Sequence, residues 1–353
     1  MLKTTPAVFA VGDEYQIMVV TEAPCLFWVR VGEREYYDES NGILRSLSDL
    51  HRVCVPMSEL DREKAYTVCV RPIVERKPYF TETEEVRTYS FAFRPVGMGA
   101  VRTYHISDAH DRIEEPVAAA RAFGDTDFLI LNGDVLNHSG DPSKFDNIYV
   151  ICEALTKGEI PVVFSRGNHD LRGNFAERFV EYTPCDRGNT YYTFRLGGVW
   201  GVVLDCGEDK DDDHAEYGHT VCCHAFRQRQ TAFLETLIVP DDPSIHTRLV
   251  IVHNPFTRQD KAPFNIEKEL YTRWADVIFE RVRPHVMICG HVHALGVHPV
   301  QGDYDHLGQP CTLVTAAKPG DGYFAGGGFV FSEEGIAVTF TDNLGNTLEN
   351  HSL

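Results

Sequence analysis

The sequence has no run of apolar residues that approaches the roughly 18 needed to cross a bilayer, and it has no Cys-x-x-Cys pair. The first absence excludes a membrane-spanning helix, and the second excludes a zinc ribbon. Ten cysteines are scattered from Cys25 to Cys311, and the first residues lack the charged start and apolar core of a secretory signal. We therefore expect reduced thiols in a cytoplasmic protein, or an extracytoplasmic location if a signal was trimmed from the chain.

Basic residues are scarce relative to acidic ones. The chain holds 33 Lys and Arg against 52 Asp and Glu, a formal net charge of -19 at pH 7. Binding of long nucleic acid depends on basic patches that neutralise phosphates, so we expect neither long nucleic acid nor a membrane as a partner. The sixteen histidines, together with the many aspartates, suit divalent cations instead.

At 353 residues the chain is longer than one hydrophobic core usually supports, which predicts two domains. Residues 1–96 contain short alternating strands and turn clusters without helical periodicity, a pattern typical of a small all-β sandwich. Leu60 followed by Tyr66 resembles the tyrosine corner of fibronectin type III and immunoglobulin-like domains. The predicted strands of this part are residues 15–21, 25–31, 52–56, 65–70 and 86–93.

Residues 97–353 begin within a hinge formed by Pro95, Gly97 and Gly99, and they alternate apolar strands with amphipathic helices. Strands rich in Val, Ile and Leu fit sheets that are covered on both faces. Apolar residues three or four positions apart between the strands predict the covering helices. The predicted strands are residues 101–106, 127–131, 161–165, 200–204, 248–252 and 285–289, followed by 312–316, 328–331 and 336–341.

Metal-type ligands follow five of these strands. They are Asp108 and His110, Gly133-Asp134, Gly167-Asn168-His169-Asp170, His253, and Gly290-His291-Val292-His293. Because ligands of open α/β sheets bind beyond the carboxyl ends of the strands, we expect these segments to meet at one edge. The glycines beside the ligands allow the abrupt turns that this arrangement requires.

The ligand set contains two Asp, one Asn and several His but no thiolate, which suits Mn, Fe or Zn better than Ca or a structural zinc. One ion would not use all of these side chains. A pair of ions that shares one carboxylate clamps both the attacking and the leaving oxygen in phosphoryl hydrolysis. Asp134 is the natural shared ligand.

The ordered set of five motifs resembles the calcineurin-like metallophosphoesterase superfamily. The resemblance covers about residues 101–341 and implies a four-layer α/β/β/α sandwich, preceded here by the small all-β sandwich domain, as in purple acid phosphatases. It implies a first metal held by Asp108, His110, Asp134 and His293, and a second held by Asp134, Asn168, His253 and His291.

The same resemblance implies a metal-dependent phosphoric ester hydrolase, a phosphatase or phosphodiesterase, in which metal-activated water attacks the phosphorus of a small phosphorylated substrate. His169 would protonate the leaving alkoxide, with Asp170 tuning or orienting it. Arg172 and Arg166 are candidates for binding phosphate oxygens.

Purple acid phosphatases have Tyr three residues after the bridging Asp, where this chain has Asn137. The resemblance to them is therefore in domain order, while the site resembles the wider superfamily. Asn137 and His138 are expected to support the ligands or to line the pocket.

The segment from Asp205 to Glu216 carries seven acids and one Lys, and it is either a solvated surface loop or a lid over the metal ligands. Two alternative functions stay open. A binding or scaffold protein that keeps the phosphoesterase fold would not need His169 beside a full ligand set. A nuclease is disfavoured by the net acidity of the chain.

Overall fold

The structure is a computed structural model, and it describes residues 1–353 with the exception of the side chain of Ser40. In chain order the strands are β1 (Ala7–Val11), β2 (Glu14–Val31), β3 (Arg34–Tyr37), β4 (Glu39–Ser40), β5 (Leu44–Arg45), β6 (Ser48–Pro56), β7 (Ala65–Arg76), β8 (Thr81–Thr83), β9 (Arg87–Ala92), β10 (Val101–Ile106), β11 (Phe128–Asn132), β12 (Val162–Ser165), β13 (Tyr192–Leu196), β14 (Val199–Leu204), β15 (Thr247–Val252), β16 (Val286–Cys289), β17 (Leu295–His298), β18 (Thr312–Gly320), β19 (Tyr323–Ser332), β20 (Gly335–Asp342) and β21 (Thr347–Ser352). The α-helices are α1 (Met57–Glu63), α2 (Glu114–Phe123), α3 (Asn147–Thr156), α4 (Ala176–Phe179), α5 (Cys223–Thr236) and α6 (Lys268–Val277). Within the described part of the chain, no helix has the length and apolar character needed to span a membrane.

Two sheets form the centre of residues 97–353. The first has the order β12-β11-β10-β19-β20-β21, in which β12, β11 and β10 are parallel. The second has the order β13-β14-β15-β16-β18-β17, in which β14, β15, β16 and β18 are parallel. β18 joins the two sheets, because its second half pairs with β19. In each sheet the parallel strands therefore deliver the segments that follow them to one edge.

The two sheets pack face to face around a shared apolar core. Ile130 and Val163 of the first sheet and Ile251 and Ile288 of the second are fully buried in it. The next residues along the strands point the other way, toward helices α2 and α3 on the first sheet and α5 and α6 on the second. This arrangement confirms the predicted four-layer α/β/β/α order.

Residues 1–96 are mostly strands arranged around the long strand β2. β2 pairs with β3, β6 and β7. β1 connects this part to the first sheet, since it pairs with β2 and also runs parallel to β12, with Phe9 opposite Val162. The Tyr66 hydroxyl donates to the carbonyl of Gly158 over 2.8 Å, rather than to nearby backbone as in a tyrosine corner. Tyr66 therefore connects the N-terminal strands to the segment that follows helix α3.

The predicted strands are present, β10 with the predicted ends and the others with shifted ends, and the structure adds elements that the pattern does not reveal. Residues 15–21 and 25–31 belong to one strand, β2, whose register with β6 shifts between Val20 and Cys25. Helix α1 forms in a part where the pattern predicts none, and it buries Met57 and Leu60. Its seven residues are too few for a period of 3.6 to stand out in the sequence.

Candidate metal centre

Seven polar side chains from the strand ends of both sheets meet at one edge of the molecule. We call this cluster the metal edge, and its members are Asp108, His110, Asp134, Asn168, His253, His291 and His293. Asp108 and His253 are fully buried, and Asp134 and Asn168 are 1% exposed. Ionisable groups at this depth require a partner of opposite charge or a metal.

The backbone at the metal edge adopts a conformation that most residues avoid. The φ angles of Asp108, His110, Asp134, His291 and His293 are 55°, 46°, 51°, 69° and 52°. Positive φ is uncommon outside glycine, and residues held there cluster at functional sites. The strand ends therefore turn sharply at the positions where the sequence predicts ligands.

Glycines allow the loops of the metal edge to touch one another. A Cβ on Gly133 would lie 2.4 Å from the backbone nitrogen of Gly167, and one on Gly167 would lie 2.2 Å from Asp134 Oδ1. A Cβ on Gly290 would lie 1.8 Å from Ser107 Oγ. Real Cβ atoms do not come this close to other atoms, so the approach of the three loops depends on these glycines.

One group of ligand atoms is formed by Asp108, His110 and His293, whose donor atoms lie within 4.8 Å of one another. His110 Nε2 is 3.1 Å from His293 Nε2, and the latter is 3.3 Å from Asp108 Oδ1. Asp134 also lies within 4.8 Å of His110, in a group that includes His169. These are the side chains predicted for the first metal.

A second group is formed by Asp134, His253 and His291. His253 Nε2 is 3.1 Å from Asp134 Oδ2 and 3.8 Å from Asp108 Oδ1. Asn168 joins this group, because its Oδ1 is 3.0 Å from His291 Nδ1. The structure thus brings together the side chains predicted for the second metal.

The pKa values at the metal edge reflect two buried carboxylates that face imidazoles. Burial alone would lower the pKa of His253, but Asp134 and Asp108 raise it to about 10. Burial, followed by the positive charge of His253, lowers the pKa of His291 to about 4. Burial alone would raise the pKa of Asp108, but His253 and His293 hold it well below its ordinary value. The carboxylates therefore stabilise a positive charge between them.

The donor set fits divalent metal ions. Buried His253 Nε2 lies close to two carboxylates, yet among the described residues it has no hydrogen bond of acceptable geometry. Nitrogen and oxygen atoms about 3 Å apart are compatible with a shared ion at about 2.0–2.2 Å from each. Metal ions bind such imidazoles in their neutral form and release the proton.

His169 and Asp170 follow the predicted ligand Asn168 in a short 3₁₀ turn, His169–Leu171. His169 Nδ1 lies 2.7 Å from the carbonyl oxygen of Asn137, and the two rings of His110 and His169 have centroids 4.7 Å apart. Asp170 Oδ2 accepts hydrogen bonds from the backbone N–H groups of Gly167 and Asp134 over 2.9 and 3.2 Å. Asp170 therefore holds two ligand loops together by their main chains.

Arg166 and Arg172, the predicted phosphate-binding residues, are paired with carboxylates. Arg166 Nε donates to Asp205 Oδ2 over 2.8 Å. Arg172 donates from Nε and Nη2 to both oxygens of Glu208, and its Nη2 also donates to Asp209. Phosphate binding by either arginine stays a prediction, and it would require these pairs to open.

The acidic segment 205–216 packs next to the metal edge. Asp209 Oδ2 is 4.0 Å from His291 Nε2, and Asp209 also pairs with Lys210 over 2.9 Å. The buried Arg227 donates to the carbonyls of Cys206 and Glu208 and holds the start of the segment in place. The first part of this segment is therefore an ordered wall beside the ligands rather than a solvated excursion.

Two polar residues that lie beside the metal edge, Ser107 and Asn132, were not predicted from the sequence. The Ser107 hydroxyl lies 2.7 Å from both Asp108 Oδ2 and the carbonyl oxygen of Asn132. Asn132 Nδ2 donates to the carbonyls of Val252 and Ile288, and so links strand ends of the two sheets. The sequence contains a signal for both residues, because each is a polar residue at the end of a mostly buried strand. His138 lies nearby on the surface, where its Nδ1 accepts from the backbone N–H of Gly140.

Comparisons with known proteins agree with this geometry. A family model described as calcineurin-like phosphoesterase matches residues 101–295. The serine/threonine-protein phosphatase CPPED1 of Danio rerio is 36% identical over 81 residues, which are 22% of this chain and 26% of that protein. The alignment therefore spans about a quarter of that relative's length.

Solved structures share the fold at low sequence identity. The purple acid phosphatase PPD1 from yellow lupin (Lupinus luteus) seeds superposes with a TM-score of 0.61 and 11% identity, over 99% of this chain and 73% of that chain. Vacuolar Protein Sorting 29 from Cryptosporidium parvum covers 72% of this chain and 98% of its own, with 11% identity and a TM-score of 0.35. The lupin enzyme thus has the same overall fold, and the second likeness is too weak to carry an argument.

Proposed function

The chain belongs to the calcineurin-like phosphoesterase family, and we propose that it hydrolyses small phosphoric esters with two divalent cations, Mn, Fe or Zn, bound at the metal edge. The first would be held by Asp108, His110, Asp134 and His293, and the second by Asp134, Asn168, His253 and His291. His169 would act as the general acid.

The observation that supports this proposal best is the position of Asp134 between the two groups of ligand atoms. Its carboxylate lies within 4.8 Å of donor atoms of His110 on one side and of His253 and His291 on the other. A carboxylate that serves two ions is the feature that distinguishes a binuclear site from two separate ones. When bound, the cations would supply positive charge to the phosphoryl oxygens and lower the pKa of water.

The residues of the chain supply the remaining functions. The Asn137 carbonyl accepts a hydrogen bond from His169 Nδ1, which leaves Nε2 as the nitrogen that can pass a proton to the leaving oxygen. Asp170, through the backbone of Gly167 and Asp134, keeps His169 and the ligand loops in register. The segment around Glu208 and Asp209 lies beside His291, and its negative charges would repel bulky anions from that side.

Hydrolysis of p-nitrophenyl phosphate and of bis-p-nitrophenyl phosphate in the presence of manganese tests the proposal and separates monoesterase from diesterase activity. We expect wild-type protein to turn over at least one of the two esters, and Asp134→Asn to lose activity and manganese binding together. Asp303→Asn, a matched change on the surface, is expected to retain both.

Wild-type protein that is inert toward both esters with Mn, Fe and Zn would contradict the proposal. It would also favour the alternative of a non-catalytic protein that keeps the fold for binding.

We further propose that residues 1–96 form a separate β-sandwich domain, which packs against the catalytic part formed by residues 97–353. The contact of Tyr66 with Gly158 supports a packing role for it.

A further inference from the structure

A cavity of about 260 Å³ opens beside His291, one of the predicted metal ligands. Its walls include Asp209, Asn254, Arg258, Gln259 and Phe264. Pockets for drug-sized ligands usually measure roughly 300–1,000 Å³, so this one fits a fragment of a few heavy atoms. Its position next to a predicted metal ligand suits the organic part of an ester whose phosphoryl group lies at the metal edge.

Two residues that line the cavity carry amide oxygens without a hydrogen-bond partner among the described residues. Asn254 is 9% exposed, and its Oδ1 is buried without a hydrogen-bond partner among the described residues. The same holds for Oε1 of Gln259. An unsatisfied buried acceptor costs roughly 1–3 kcal/mol, which a ligand carrying N–H or O–H groups would recover.

The donors near the cavity are already engaged. Arg258 Nη2 donates to Asp260 over 2.8 Å, and the Arg258 guanidinium stacks on the ring of Tyr304 at 4.7 Å. Arg172 is held by Glu208 and Asp209, as described above. An anionic ligand would therefore find few free donors in this cavity.

The charges at the rim favour a cation. The charged residues that line the cavity are Glu208, Asp209, Asp260 and Arg258. Arg258 pairs with Asp260, while Glu208 and Asp209 pair with Arg172 and Lys210, which also reach Glu216. These three basic and four acidic side chains leave one negative charge in excess. The Lys210 ammonium already lies 2.9 Å from Asp209 and 5.0 Å from the ring centre of Phe264. A carboxylate next to a half-exposed aromatic face is an environment that binds ammonium groups.

We infer that this cavity binds the alcohol portion of the substrate and selects alcohols that carry an ammonium group over alcohols that carry a carboxylate. Asn254 and Gln259 would accept hydrogen bonds from the ammonium group, and the excess negative charge at the cavity, to which Asp209 contributes, would complement its positive charge. The inference rests on the proposed function, because it concerns the substrate of the same site.

The test compares phosphoethanolamine, 2-phosphoglycolate and p-nitrophenyl phosphate as substrates of the manganese-loaded protein. We expect kcat/KM to be at least about tenfold higher for phosphoethanolamine than for 2-phosphoglycolate. Asn254→Leu and Asp209→Asn should each reduce this ratio by about fivefold or more, chiefly by raising KM for phosphoethanolamine. Wild type and variants are compared on the same two esters. The intrinsic reactivity of each ester therefore does not affect the change of the ratio from wild type to variant. Gln228→Leu, on the exposed face of α5, is the matched control and should leave the ratio unchanged.

The outcomes separate this inference from the proposed function. If p-nitrophenyl phosphate is hydrolysed while the wild-type ratio is one or lower, the inference is wrong and the phosphoesterase assignment stands. The inference also fails if the ratio is high but neither cavity variant changes it. If none of the three esters is hydrolysed, both fail together. The wild-type ratio decides the first case even if Asn254→Leu does not fold.

Discussion

The backbone N–H of His169 donates a hydrogen bond to Asp134 Oδ1 over 2.8 Å. The residue proposed as the general acid is thereby tied to the carboxylate proposed to lie between the two cations. The opposite oxygen of Asp134 faces His253 Nε2 at 3.1 Å. One carboxylate thus contacts both the proposed acid and a proposed metal ligand, which follow strands of different sheets.

Replacement of His169 by Gln is expected to slow turnover of alkyl phosphates by about 10²- to 10⁴-fold, because a strongly basic alkoxide leaves poorly without a proton. The effect on p-nitrophenyl phosphate should be much smaller, since its leaving group departs without protonation. Measurement of kcat for both esters checks this. Equal losses for the two esters would contradict a role as general acid, and His351→Gln on β21 serves as the control.

Gly133→Ala and Gly167→Ala are each expected to weaken manganese binding by about 10- to 100-fold. Losses of metal affinity of this size are usual when residues that orient the ligands are disturbed. The added Cβ would lie 2.4 Å from Gly167 N in the first variant and 2.2 Å from Asp134 Oδ1 in the second. Titration calorimetry of metal-free protein with manganese measures the loss. Gly99→Ala, which meets no atom within 4 Å, should bind like wild type. Normal affinity in both test variants would show that the loops do not need their close approach.

Asp170→Ala is expected to lower the free energy of unfolding by about 2–5 kcal/mol, because it leaves two buried backbone N–H groups without an acceptor. Asp170→Asn keeps an acceptor oxygen and should lose clearly less. Urea unfolding of the two variants gives the difference. If both variants lose the same amount, the contribution of Asp170 comes from its charge and not from these two hydrogen bonds.

His51 predicts a pH dependence of stability away from the metal edge. It is buried, with Nδ1 2.5 Å from Asp38 Oδ2 and Nε2 3.4 Å from Cys25 Sγ. Burial alone would lower the pKa of His51, but the hydrogen bonds to Asp38 and Cys25 raise it to about 9. Its value in the unfolded chain is about 6.5. Because the folded state binds this proton more tightly, the stabilisation is complete below about pH 6.5 and is lost as the pH rises through about 9.

Urea unfolding of wild type and His51→Gln between about pH 6 and pH 9.5 measures this effect. The advantage of wild type should shrink over this range by a few kcal/mol at most, since the pKa difference is worth on the order of 3 kcal/mol. A difference between the two proteins that does not change with pH would mean that His51 contributes by packing, for example against Phe27, on which it stacks.

Much of the fold could be predicted from the sequence because the strands that precede the predicted ligands are short, almost entirely buried and mostly apolar. β10 was predicted with its exact ends, and the layer order followed from alternation of such strands with helices. β1 and α1 were not predicted. The place of β1 depends on its pairing with β2 and β12, and no local pattern in the sequence indicates these contacts. Tertiary pairing of this kind overrides local signals.

The candidate metal centre was predictable because each ligand follows a strand, and parallel strands share an edge. The partners of Arg166 and Arg172 were not predictable. The carboxylates that pair with these arginines, Asp205 and Glu208, lie in the acidic segment 205–216. Which acid pairs with which arginine depends on how that segment packs, and the sequence does not show this packing. The proximity of Asp209 to His291 was not predictable for the same reason, because nothing in the sequence distinguishes Asp209 from the other six acids of the segment.

The central claim is that two cations share the metal edge, and anomalous scattering from crystals grown with manganese tests it most directly. We expect two manganese peaks, one among Asp108, His110 and His293 and the other among Asn168, His253 and His291, with Asp134 between them. The absence of manganese from this edge, or a single peak under saturating metal, would contradict the account.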